Sequence, residues 1–176
     1  MRIEAEHVVA VFIDYQEKLL PVMYGKEQLL NNSGILAQGL RVLHIPMVVT
    51  QQYTKGLGNT EKSLMEAMGA TSYKEKIRFS AIEEIREDII GKKFVILCGI
   101  EAHICVLQTL VDLKEEGYIP VLVEDCISSR KEHDKKMAVE RAKQEGAILT
   151  TYEALLFELL KAAGTEESKK IQRLIK

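Results

Sequence analysis

The 176-residue sequence predicts a three-layer α/β/α fold around a mainly parallel sheet of about five to six strands. Two observations carry that expectation. Short runs rich in Val, Ile and Leu, such as His7 to Asp14 and Phe94 to Leu97, are apolar at consecutive positions, the pattern of strands covered on both faces. Between them lie segments with apolar residues at helical spacing, the alternation that builds a parallel sheet. With no internal repeat or low-complexity linker, one domain over residues 1–176 is expected, with 165–176 as a charged C-terminal helix or tail.

In chain order, His7 to Asp14 reads as a central first strand ending in an acid. Glu27 to His44 is helical by the spacing of Leu29, Leu30, Leu36, Leu40 and Leu43. Ile45 to Thr50 is a second strand, and the polar, glycine-containing Gln51 to Thr60 a loop at its carboxyl end. Glu61 to Met68 reads as a short helix and Ser72 to Ser80 as an extended basic stretch. Ser80 and Glu83 form a capping-box pattern opening a helix to about Ile90. Phe94 to Leu97 is a strand, Gly99 a break, and an amphipathic helix runs from about Ala102 to Gly117. Tyr118 to Glu124 is the next strand, Ser129 to Glu132 another capping-box pattern before a helix to Glu145, and Ala147 to Thr150 a last short strand. A helix from Thr151 to about Ala163 follows, and Ile171, Leu174 and Ile175 give the tail an apolar side that docks on the body or on another subunit.

Composition excludes several classes. The chain is 47% hydrophobic and 28% charged with a formal net charge of −2, which gives no electrostatic reason to expect nucleic acid or an anionic membrane as partner. No apolar run approaches the ~20 residues that span a bilayer, and the charged N-terminus does not read as a signal peptide. Three cysteines without close pairing argue for a reducing, cytoplasmic location.

The strand–break–helix unit around Cys105 holds the best nucleophile candidate. A cysteine in the first turn of a helix that follows a parallel strand sits where ligands bind in open α/β folds, beside unpaired amides and the positive end of the helix dipole. A small apolar residue packing helix on sheet is the competing reading. Asp14 and Lys76 also fall at strand edges. A carboxylate can take the thiol proton, an ammonium can stabilise the thiolate, and backbone amides around Glu101 and Cys105 can hold an oxyanion. Taken singly, Asp14 also reads as a strand-end cap and Lys76 as one solvated lysine among several.

The residues Val11–Gln16 (VFIDYQ), Lys76–Ala81 (KIRFSA) and Gly99–Val106 (GIEAHICV) resemble, in order and spacing, the three motifs of the isochorismatase-like cysteine hydrolase superfamily. Asp125–Arg130 (DCISSR) resembles a fourth segment, and the likeness covers roughly His7 to Leu160, closest to the small isochorismatase domain-containing proteins. The resemblance implies an Asp14–Lys76–Cys105 triad: Asp14 as general base, Lys76 as the cation for the thiolate, and Cys105 as the nucleophile that forms an acyl-enzyme. It also implies a cis peptide at Ile100–Glu101, backbone oxyanion donors at Glu101 and Cys105, and a homo-oligomer, dimer or larger. Gln52, Tyr53 and Phe79 are expected in the substrate-binding wall, since their loops reach the same edge.

The nicotinamidases of this superfamily hold a metal through an aspartate and histidines after the second strand. Here the segment is Gln51–Asn59 (QQYTKGLGN), with no histidine, so no metal and no cofactor are expected. His103 is expected at the pocket mouth or packed locally, Cys98 in the core, and Asp125 as a strand-end tie. The expected activity is hydrolysis of a small amide or related C–N bond through a thioester. The alternatives are a non-catalytic interaction protein that keeps the fold, and a thiol redox protein pairing Cys105 with Cys98 or Cys126. A nucleotide-binding Rossmann protein is disfavoured, because Gly99 stands without G-x-G-x-x-G.

Overall fold

The computed structural model describes all residues 1–176. In chain order its elements are β1 (Val8–Ile13), α1 (Lys26–Val42), β2 (Met47–Gln52), α2 (Thr54–Leu57), α3 (Lys62–Met68), β3 (Lys74–Lys76) and α4 (Ile82–Ile89). They continue with β4 (Phe94–Ile100), α5 (Leu107–Glu115), β5 (Ile119–Ser128), α6 (Glu132–Gln144), β6 (Ile148–Thr150), α7 (Tyr152–Leu160) and α8 (Glu166–Ile175). The six strands form one parallel sheet in the order β3-β2-β1-β4-β5-β6. The chain therefore builds outward from β1 on one side and then restarts at β4 on the other. The crevice at the carboxyl ends of β1 and β4 is the point where such a sheet accepts ligands.

Consecutive apolar residues in β1 have a plain cause. Val8, Ala10 and Phe12 point into a core with Leu36 and Leu40 of α1, Leu64 of α3, Leu155 and Leu159 of α7 and Ile171 of α8. Val9, Val11 and Ile13 point to the other face, against Ile85 of α4, Leu110 and Leu113 of α5 and Ala138 of α6. β4 repeats the division, with Ile96 and Cys98 on the first face and Val95 and Leu97 on the second. Each buried aliphatic side chain contributes about 1.5–3 kcal/mol, and the two faces together fix the register, because a slip of one residue would exchange them. Gly99 is demanded by close approach: a Cβ there would lie 2.5 Å from the Ile13 carbonyl oxygen.

The elements differ from the sequence reading mainly at their ends. β5 runs on past Glu124 to Ser128 through an irregularity, since Leu97 pairs with Leu122 whereas Gly99 pairs with Ile127. A polar Glu-Asp pair looked like a strand end and is instead the kink. The Gln51–Thr60 loop contains the single-turn α2. Neither capping box forms as expected: α4 starts after Ala81 and α6 after Lys131, neither with a side-chain cap, although the Ile82 amide donates to Ser80 Oγ at 3.3 Å. Thr151 and Thr165 do cap α7 and α8. The tail is a helix, with Ile171 fully buried against the α1–α7 side.

Candidate active site

At the end of β1 the backbone turns into the left-handed region at Asp14 (φ 56°), which aspartate tolerates better than most residues. The turn buries its carboxylate at the sheet edge. Thr50 Oγ1, from the neighbouring β2, donates to Oδ1 at 2.8 Å. Oδ2 lies 2.7 Å from Lys76 Nζ. That approach is off the line of a hydrogen bond, so Oδ2 keeps an open acceptor direction.

Lys76 ends the three-residue edge strand β3, two strands from β1, and its side chain reaches back across β2. A buried ammonium costs several kcal/mol unless its donors are met. Here Nζ donates to Gln52 Oε1 at 2.6 Å, to the Phe79 carbonyl at 2.9 Å and to the Arg78 carbonyl at 3.3 Å, besides its ion pair with Asp14. The Gln52 amide is used at both ends, because its Nε2 donates to the Ile77 carbonyl at 2.7 Å.

Cys105 lies in a π-helical turn (Ala102–Val106) between β4 and α5, at 5% exposure. Thr109 Oγ1 donates to the Cys105 carbonyl at 2.7 Å and accepts from the Ala81 amide at 2.9 Å, tying the Cys105 turn to the start of α4. The Cys105 thiol lies near enough to the Asp14 carboxylate and the Lys76 ammonium for both charges to act on it, so the three residues singled out in the sequence converge on one place. Burial first, then the charge of Asp14, push the thiol up to about 12, while Lys76 pulls the other way without prevailing. The resting group at neutral pH is the thiol.

The peptide expected to be cis is not. Every peptide bond is trans, and the chain makes its turn at Ile100–Glu101 by placing Glu101 at φ 52°, ψ 55°. In the following turn the Ile104 amide donates to the Glu101 carbonyl at 2.8 Å. The Glu101 carboxylate is buried; Arg130 Nε lies 2.8 Å from its Oε1, and His103 Nδ1 lies 3.7 Å from Oε2 and 2.9 Å from Ser129 Oγ. Tyr53 and Phe79 stand at the rim, about half exposed, with the Tyr53 amide donating to the Lys76 carbonyl at 3.0 Å. The Gln51–Thr60 loop is stitched down: Gln51 Oε1 accepts from both the amide and the hydroxyl of Thr60, and Gln16 Nε2 donates to the carbonyls of Gln52 and Gly58.

Thr50, Gln16, Gln51, Thr109, Ser129 and Arg130 escaped the sequence reading. Their signal was faint but physical: polar side chains at strand ends, in loops or, for Thr109, in the first turns of α5, which carry no periodicity until the strand order is known. Two shallow surface grooves, of about 550 and 540 Å³, lie away from the cluster, one between α6, β6 and α7 and one between α1 and α8. A group of Glu4, Glu6 and His7 could ligate a metal, but it lies at the amino end of β1, away from Cys105.

The family model for the Isochorismatase domain matches residues 8–154, and the chain belongs to that family. Isochorismatase domain-containing protein 2 of Danio rerio is 36% identical over 180 residues, covering 99% of this chain and 89% of the relative. The secreted isochorismatase effector Isc1 of Phytophthora sojae is 34% identical, covering 97% of this chain and 85% of its own. Among solved structures, one described as the MAR1 ribonuclease from Caenorhabditis elegans superposes with a TM-score of 0.94 at 37% identity, over 99% of this chain and 92% of that one.

Proposed function

We propose that the protein is a cofactor-independent cysteine hydrolase that cleaves a small amide or related C–N bond through a thioester on Cys105. The observation that carries this reading is the Cys105 thiol set against a buried Asp14–Lys76 ion pair. Folding alone gives no reason to assemble that trio, because a buried pair is replaceable by apolar residues at little cost.

Asp14 Oδ2 accepts the thiol proton as the sulfur attacks the substrate carbonyl carbon. A thiol raised so far needs its base in place at the moment of attack. Lys76 balances the charge that moves onto sulfur. The C–S bond forms, the carbonyl electron pair becomes an oxyanion held by the amides near Glu101 and Cys105, and its collapse breaks the C–N bond. The amine leaves with the proton from Asp14. Water, deprotonated by Asp14, then adds to the thioester, and the acid departs as the thiol is restored. Gln52 positions Lys76, and Tyr53 and Phe79 line the approach for substrate.

In this reading residues 1–176 act as one domain. The exposed Tyr53, Tyr73, Ile77 and Phe79 beside the site support a homo-oligomer, and three unpaired buried thiols fit the cytoplasm. The test is release of amine or ammonia from a panel of small amides. Turnover by the wild type that disappears in Cys105→Ala supports the proposal; turnover that persists in that variant overturns it. The description of the nematode relative raises RNA cleavage as a second reading. Cleavage of a single-stranded RNA that survives Cys105→Ala, with no amide turned over, would favour it.

A further inference from the structure

The turn before Cys105 is built in an unfavourable way that calls for a reason. Glu101 takes left-handed backbone angles (φ 52°, ψ 55°), a region open to glycine at no steric cost, yet the residue is a glutamate whose side chain is only 11% exposed. One carboxylate oxygen, Oε1, lies 2.8 Å from Arg130 Nε. The other, Oε2, is buried with no hydrogen-bond partner and lies 3.7 Å from His103 Nδ1. His103 Nδ1 in turn lies 2.9 Å from Ser129 Oγ. Both contacts join the same two loops, the one leaving β4 and the one leaving β5, whose last residues Ile100 and Ser128 are register partners. A buried carboxylate with a single cation holds its backbone where that cation is.

We infer that the Glu101–Arg130 ion pair is a positioning clamp, which fixes the left-handed turn so that its amides face the oxyanion formed at Cys105. Arg130 touches no reacting atom; it acts through Glu101. The inference rests on the cysteine-hydrolase reading above and assigns that site a determinant outside the Asp14–Lys76–Cys105 trio.

Two reagents separate the clamp from general folding, because they use the same sulfur differently. p-Nitrophenyl acetate is attacked at its carbonyl carbon: a C–S bond forms, an oxyanion appears, and p-nitrophenolate leaves as the thioester closes, the thiol proton going to Asp14. Iodoacetamide is attacked at its methylene: a C–S bond forms as the C–I bond breaks, iodide leaves, and no oxyanion arises. In Arg130→Gln the acetylation of Cys105 should slow by about tenfold or more while its alkylation stays within about twofold of wild type. Arg130→Lys should recover part of the loss, since a point cation restores charge without the guanidinium geometry. Glu101→Gln, which keeps the side chain's shape, should lower the acetylation-to-alkylation ratio in the same direction.

If both rates are unchanged in Arg130→Gln and Glu101→Gln, or fall together, the clamp is refuted while the hydrolase reading stands. If wild-type Cys105 is alkylated but never acetylated, the hydrolase reading fails and the clamp fails with it.

Discussion

Two aspartates sit at the carboxyl side of the sheet, and they have opposite characters. Asp125, at the kink of β5, accepts the Tyr152 amide on Oδ1 at 2.9 Å and so anchors the start of α7; its carbonyl takes Asn32 Nδ2 at 3.0 Å. Burial raises its carboxyl, the Tyr152 amide offsets part of that, and no cation pairs with it. Asp14 is more deeply buried and faces Thr50, Lys76 and Cys105. An acid at a strand edge is thus tied to a backbone amide or set against a cation and a thiol according to what the neighbouring strands bring to it. Strand order decides that: β2 lies between β1 and β3, so Thr50 reaches Asp14 and Gln52 reaches Lys76 from one intervening strand.

The widest expected separation between the two regions is in acyl transfer. Cys105→Ala should lower the rate of p-nitrophenyl acetate turnover by about 10³-fold or more, read as p-nitrophenolate release, because the bond-forming atom is gone. Asp14→Asn should have an effect of similar size on that rate. By leaving the Lys76 ammonium buried without its counter-charge, it should also cost about 3–5 kcal/mol in urea unfolding. An Asp14→Asn protein with wild-type stability would show that the ion pair is not the buried charge pair described above.

A third contrast is in pH. Burial raises Cys98, Cys105 and Cys126 above the ordinary thiol value of 9.0, so above that pH the unfolded chain gives up protons that the folded chain keeps. Unfolding free energy should therefore hold up to pH 8 or so and then fall by up to about 1.4 kcal/mol per thiol per pH unit, with the Cys105 share levelling off near 12. Denaturation series between pH 7 and pH 10.5 check this, and Cys105→Ala should flatten the fall by one thiol's share. The smallest effect is expected from Asp125→Ala: about 1–2 kcal/mol of stability lost with the Tyr152 amide bond, and acyl transfer within about twofold of wild type. A large loss of acyl transfer there would break the distinction between the two acids.

Much of this was legible beforehand, for identifiable reasons. Doubly buried strands such as Val8–Ile13 announce themselves by unbroken apolar runs, and the three motif segments draw attention to Asp14, Lys76 and Cys105. Long-range order was hidden. Nothing local says that Thr109 would link Ala81 to Cys105, or that Arg130 would reach Glu101 from another loop, because those contacts depend on strand register. The kink in β5 was missed since a charged pair in mid-strand looks like a strand end. The upward push on the Cys105 thiol was hidden as well, because the desolvation that outweighs Lys76 depends on a burial that no motif encodes.

The most direct test of the central claim is to trap the acyl-enzyme. The protein is mixed with p-nitrophenyl acetate, quenched in acid within the first turnover and mapped by peptide mass. The account predicts a single acetyl group on the peptide carrying Cys105, present in wild type and missing in Asp14→Asn. Acetyl groups spread over Cys98, Cys126 and surface lysines, or equal labelling of Cys105 in Asp14→Asn, would contradict it.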